Sequence, residues 1–191
     1  MKRKVLLLAL LTIMCVIIGS GTLAYFTDSE QVHNVITSGE VCIELVETTT
    51  DKLDGDGNPT KFENVNGVMP GMTISKIAQV SNTGSADAYV RMKVQKVITL
   101  ADGVSGTPDS GLIGIDFNTE DWTLQDGYYY YNEVLNPGEI TAPIFTKVTF
   151  HKSMDNLYQG SSVGIDVAAY ATQVANNGNS PLTAQGWPAV S

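Results

Sequence analysis

An all-β domain is the fold class that the sequence predicts, and three observations predict it. Short apolar stretches alternate with polar residues at a period of two, Gly, Pro, Asn and Asp punctuate them, and an Asp-Gly pair separates two β-rich runs. Little recurs at helical spacing, and no internal repeat is evident.

Taken in order, "GEVCIELVE" alternates Val41, Ile43 and Leu45 with Cys42 and Glu44, the pattern of a half-buried strand, with Cys42 on its more polar face. "ADAYVRMKVQKV" sends Ala88, Val90, Met92 and Val94 inward and Tyr89, Arg91, Lys93 and Gln95 outward. "IFTKVTF" reads as a further strand. "VGIDVAAYA" puts Val163, Ile165, Val167, Ala169 and Ala171 on one face and Asp166 and Tyr170 on the other. "SNTGSAD", "MPGM" and "NPGE" are turns between strands, while "TTTDKLDGDGNPTKFEN" and "ADGVSGTPDSGLIG" read as long polar surface loops.

The most sharply specified element is "WTLQDGYYYY". With Asp126-Gly127 as a two-residue turn, counting outward opposes Gln125 to Tyr128, Leu124 to Tyr129, Thr123 to Tyr130 and Trp122 to Tyr131. Opposed residues share a face. Trp122, Leu124, Tyr129 and Tyr131 are therefore expected on the core face, leaving Tyr128 and Tyr130 outward as candidate ligand-facing aromatics. They could stack sugar rings or contact a neighbouring subunit, but aromatic residues are also simply good strand formers.

The N-terminus has the layout of a secretory signal: basic "MKRK", an apolar run of about 14 residues where a spanning helix wants about 20, then small residues ending Thr22-Leu23-Ala24. This predicts a cleavable signal peptide over 1–24, cut between Ala24 and Tyr25, and one domain over 25–191; a retained membrane anchor is the alternative. Membrane contact then ends at cleavage, and the partner at that stage is a signal peptidase. Loss of Lys2, Arg3 and Lys4 takes the net charge from −9 to −12. Such a surface repels nucleic acid and anionic lipid and attracts cations or a basic partner. Only Cys42 survives cleavage, so no internal disulfide is available.

Catalytic chemistry is sparse. Asp54-x-Asp56-x-Asn58 resembles the start of a calcium loop, but Pro59 and Val65 stand where the loop needs glycine and glutamate, and a solvated turn is the simpler reading. His33 and His151 are far apart, with no paired-histidine motif on one helix face. Asp28 and Glu30 could join them only through folding. No nucleophile elbow or phosphate-cradling loop is present. No metal, no cofactor and no enzymatic activity are expected.

"GTLAYFTDSEQVHNVITSGEVCIELVE", "VMPGMTISKIAQVSNTGSADAYVRMKV", "YYYYNEVLNPGEITAPIFTKVTF" and "GIDVAAYATQVANN" together resemble the TasA/camelysin family of exported Gram-positive proteins. The resemblance implies a jelly-roll-like antiparallel β-sandwich, processing by an endoplasmic-reticulum-type signal peptidase and, for TasA-like members, a biofilm-matrix fibre in which each subunit passes its N-terminal strand to the next. On that reading Tyr25 to Val32 is the candidate donor strand, with Tyr25, Phe26, Thr27, Asp28 and Val32 as subunit contacts. The partners are further copies of the chain and a companion matrix protein, and the place is the extracellular matrix or cell surface. Camelysin-type members are described as surface metallopeptidases, an alternative function for which no metal motif can be carried over. A monomeric carbohydrate-binding surface module resting on Tyr128 and Tyr130 is the other alternative.

Overall fold

The computed structural model describes residues 41–63, 65 and 69–188. The signal segment, the Ala24–Tyr25 bond, the donor segment with Phe26, Thr27, Asp28 and Val32, and His33 all lie outside the described residues. Among the described residues nine strands form: β1 Ile43–Leu53, β2 Pro59–Lys61, β3 Thr73–Asn82, β4 Ala88–Thr99, β5 Ile113–Ile115, β6 Trp122–Gln125, β7 Tyr128–Tyr131, β8 Phe145–Phe150 and β9 Ser162–Gln173. Five of them make one sheet in the order β2-β1-β3-β8-β5, and four make the other in the order β6-β7-β4-β9. Every pairing is antiparallel. The all-β domain expected from the alternation, and the antiparallel sandwich that the family resemblance implies, are thus the fold observed.

The core between the sheets is what that alternation demands. Ala88, Val90 and Met92 from β4 and Val163, Ile165, Val167, Ala169 and Ala171 from β9 are buried, as are Trp122, Phe145 and Val148 from β6 and β8. Val41 and Ile43 are buried and Cys42 between them is exposed, as the period of two requires. β4 and β9 remain in register over their whole lengths, from Ala88↔Gln173 to Thr99↔Ser162. Lys96 ties the two sheets at one end, donating from Nζ to the Ile113 carbonyl at 2.6 Å.

The β6–β7 hairpin pairs Trp122↔Tyr131, Thr123↔Tyr130, Leu124↔Tyr129 and Gln125↔Tyr128. Asp126 and Gly127 both adopt positive φ (52° and 79°), the conformation a two-residue primed turn needs and one in which glycine has no Cβ to obstruct it. Leu124 departs from expectation: it lies 59% exposed. Its strand is the outer one of its sheet and it adjoins the turn, so it projects past the cover of the opposite sheet. Its partner Tyr129 still packs inward, stacked on Phe117 with centroids 4.5 Å apart.

One expected loop is instead a hairpin. β1 continues through the polar "TTTDKL" to Leu53 and returns as β2, with Thr48 opposite Lys61 and Thr49 opposite Thr60. The Asp54-Gly-Asp-Gly-Asn58 turn closes it. The other polar segment remains a loop up to one 3-10 turn, Ser110–Leu112, which leads directly into β5. At the opposite end of the sandwich, buried Asn82 knits two turns together. Its Nδ2 donates to the carbonyls of Ala86 and Leu135, its Oδ1 accepts from Gly84 N, and its carbonyl accepts from Gly138 N.

Candidate binding face

The two sheets' outer faces differ, and the outer face of the four-stranded sheet carries the most distinctive chemistry. Register places Arg91 of β4 directly opposite Tyr130 of β7 on one side and Tyr170 of β9 on the other. Opposed residues share a face, so the three rise together. Tyr128 stands two residues along on the same face of β7. The Arg91 guanidinium lies 4.1 Å from the Tyr128 ring centroid, 5.5 Å from Tyr170 and 6.0 Å from Tyr130. Its Nη1 donates to the Tyr130 hydroxyl at 3.3 Å. Lys93 Nζ is 5.9 Å from the Tyr128 centroid.

A fourth ring arrives from the segment that follows β9. Asn177 holds the path of that segment: its Nδ2 donates to Thr172 Oγ1 and to the carbonyls of Gln173 and Gln185, and its Oδ1 accepts from Gln185 N at 2.7 Å. Thr172 Oγ1 also donates to the Gln185 carbonyl. The chain is thereby turned back over the sheet, and Trp187 comes to rest 4.6 Å from the Arg91 guanidinium and edge-on to Tyr130. Tyr128 and Tyr130 do face outward, away from the sandwich core. Yet Tyr128 is half-buried and Tyr130 is buried, as are Tyr170 and Tyr89 beside them. Burial, reinforced by Tyr128 and opposed by Arg91, raises the Tyr170 phenol above its ordinary value.

Arg91 holds no ion pair among the described residues: no carboxylate there stands within ion-pair distance of it, and its Nε is buried without a hydrogen-bond partner. Sequence reasoning had Tyr128 and Tyr130 but not Arg91, Tyr170 or Trp187 as one cluster. The signal for Arg91 and Tyr170 was their parity on β4 and β9; Trp187 lies in a segment without periodicity.

The acidic and imidazole groups do not converge. Asp54 spends its carboxylate on its own turn, accepting at Oδ1 from Asn58 N, at Oδ2 from Asn58 Nδ2 and again at Oδ1 from Asp56 N, bonds that lower its pKa. His151 accepts at Nδ1 from Ser153 N within its own loop. Asp116 is occupied too. Burial raises it, but the Thr146 hydroxyl and the amides of Thr146 and Lys147 outweigh that and bring its pKa below the ordinary value. Among the described residues no three His, Cys, Asp or Glu side chains are placed to hold a metal ion.

The fold and this face define an antiparallel β-sandwich protein whose concentrated surface chemistry is aromatic and cationic. The chain belongs to the camelysin metallo-endopeptidase family, whose sequence profile matches residues 1–117. No curated protein and no solved structure matches it. The family name implies a catalytic metal. The described donors do not fit one, because Asp54 and the His151 ring are committed to their own turns and Asp116 to the β8 residues Thr146 and Lys147, and none is directed at a common point.

Proposed function

We propose that the protein is a secreted, non-enzymatic structural subunit of extracellular matrix or surface fibres, and that copies join by donation of the Tyr25 to Val32 strand. The observation that carries the proposal is β9. It is twelve residues long and, among the described residues, has a strand partner on one side only, β4. An open edge of that length offers a row of main-chain donors and acceptors to an incoming strand. The position is apt in a second way. β1 approaches β9 across the sandwich, and the five-stranded sheet continues past β1 to β2, so a strand added beside β9 would face that overhang. Burial of Tyr25 and Phe26 would contribute about 1.5–3 kcal/mol each before the cost of ordering them. While uncut, both are tethered to the apolar leader, so cleavage after Ala24 would license assembly.

Size-exclusion chromatography and electron microscopy of the chain beginning at Tyr25 and of one beginning at His33 test the proposal. The longer chain forms fibres; the shorter folds, because β1 to β9 are intact, and stays monomeric. Phe26→Asp behaves like the truncation, since an unpaired charge in an apolar pocket costs several kcal/mol. Equal fibres from both chains would refute donation. The family name favours a metallopeptidase instead, and casein cleavage that a chelator abolishes would establish that reading.

A further inference from the structure

The Arg91 cation on the outer face of the four-stranded sheet, without an ionic partner among the described residues, asks for an anion. The chain carries 20 acidic against 11 basic side chains, yet no carboxylate among the described residues approaches Arg91. A guanidinium partly withdrawn from water gains from the rings around it, and more from a planar anion that fills its free N–H positions. Lys93 supplies a second positive charge on the same face. Tyr128 and Trp187, both half-buried, flank this pair with aromatic surface still in reach of solvent, while Tyr130 and Tyr170 are buried beneath.

Rings beside cations on a rigid sheet recognise a ligand that is itself a ring bearing an anion. We infer that this face is a binding site for an acidic saccharide, a sugar ring carrying a carboxylate, in the chains of a polyanionic polysaccharide. The C–H face of the sugar packs on Trp187 and Tyr128, and the carboxylate meets Arg91 and Lys93. The cluster is preorganised: three strands in fixed register set Arg91, Tyr128, Tyr130 and Tyr170, and the Asn177 hub sets Trp187, so little side-chain entropy is lost on binding. This inference does not depend on fibre formation.

Affinity electrophoresis of the full chain through gels containing polygalacturonate, dextran or polyphosphate separates the contributions. Polygalacturonate carries rings and carboxylates, dextran rings only, and polyphosphate charge only. Retardation is expected with polygalacturonate alone at moderate salt. Trp187→Ala, Tyr128→Ala and Lys93→Glu each weaken it by about tenfold, the scale of one stacking or charge-assisted contact. Arg91→Lys, which keeps the charge but loses the planar fork, weakens it as well. Circular dichroism confirms that each variant is folded; should Arg91→Lys not fold, the variants at half-buried Tyr128 and Lys93 decide. Absence of retardation by polygalacturonate, equal retardation by dextran or polyphosphate, or folded variants that bind as the parent would each overturn the inference.

Discussion

Lys76 is an ammonium in the wrong place for a β-sandwich, and removing its partner should cost more than removing it. It stands on the inward parity of β3 between Ile74 and Ala78, with 4% of its side chain exposed, 2.9 Å from Glu47 Oε1 of β1 and 4.0 Å from the Phe62 ring centroid. Deleting one member of a buried pair strands the other charge, at about 3–5 kcal/mol. A quarter of the Glu47 side chain reaches solvent, so water replaces part of its effect and Glu47→Ala is expected to cost about 2–3 kcal/mol. Lys76→Met removes the buried charge, keeps an unbranched stem over Phe62 and leaves a carboxylate that can turn to water, at about 1 kcal/mol or less. The double variant should be scarcely worse than Lys76→Met alone, so the coupling is nearly the whole Glu47→Ala cost, about 2–3 kcal/mol in urea unfolding followed by tryptophan fluorescence. If the two single losses add to within about 0.5 kcal/mol, the pair is not coupled and the reasoning fails.

Burial is the first cause raising Tyr129, Tyr131 and Tyr170 above the ordinary phenol value of 10.0. A phenol raised in the folded state stabilises below its unfolded pKa and loses that contribution as pH climbs through the folded one, so a late phase of phenolate absorbance should coincide with alkaline unfolding; ionisation of all tyrosines in one early phase would contradict this. Trp122 is buried and donates from Nε1 to the Ala142 carbonyl at 3.1 Å, so Trp122→Ala should cost about 3–5 kcal/mol in thermal or urea unfolding. Leu124→Asp, on the same strand face but exposed, should change stability by less than about 0.5 kcal/mol.

How much could be read in advance depended on how local the determining interaction is. The β6–β7 register was legible pair by pair because Asp126-Gly127 sets the loop length, and loop length sets everything outward from it. β4 and β9 were legible because their inward residues alternate without a break. The exposure of Leu124 was not, since parity says which face a residue takes and nothing about where the opposite sheet stops. β1 through "TTTDKL" was missed because its polar residues are held by non-local bonds: the Ser75 amide donates to Asp51, and Ser75 Oγ bonds the backbone and hydroxyl of Thr50. The arginine face was half legible: two tyrosines of β7 announced it, but the cation beside them and the tryptophan above it come from strands and segments far along the chain.

The strand edges differ greatly in length. β2 and β5 have three residues each and β6 has four, against twelve in β9. A three- or four-residue edge offers only one or two well-placed main-chain bonds, too few to hold a passing strand against the entropy of ordering it. Among the described residues β9 is the one long outermost strand and the other three are blunt, which favours a valence of one for donated strands. If copies join by donation at β9 as proposed, their chains would tend to lengthen rather than branch, with sideways fusion into sheets or plaques disfavoured at the three short edges.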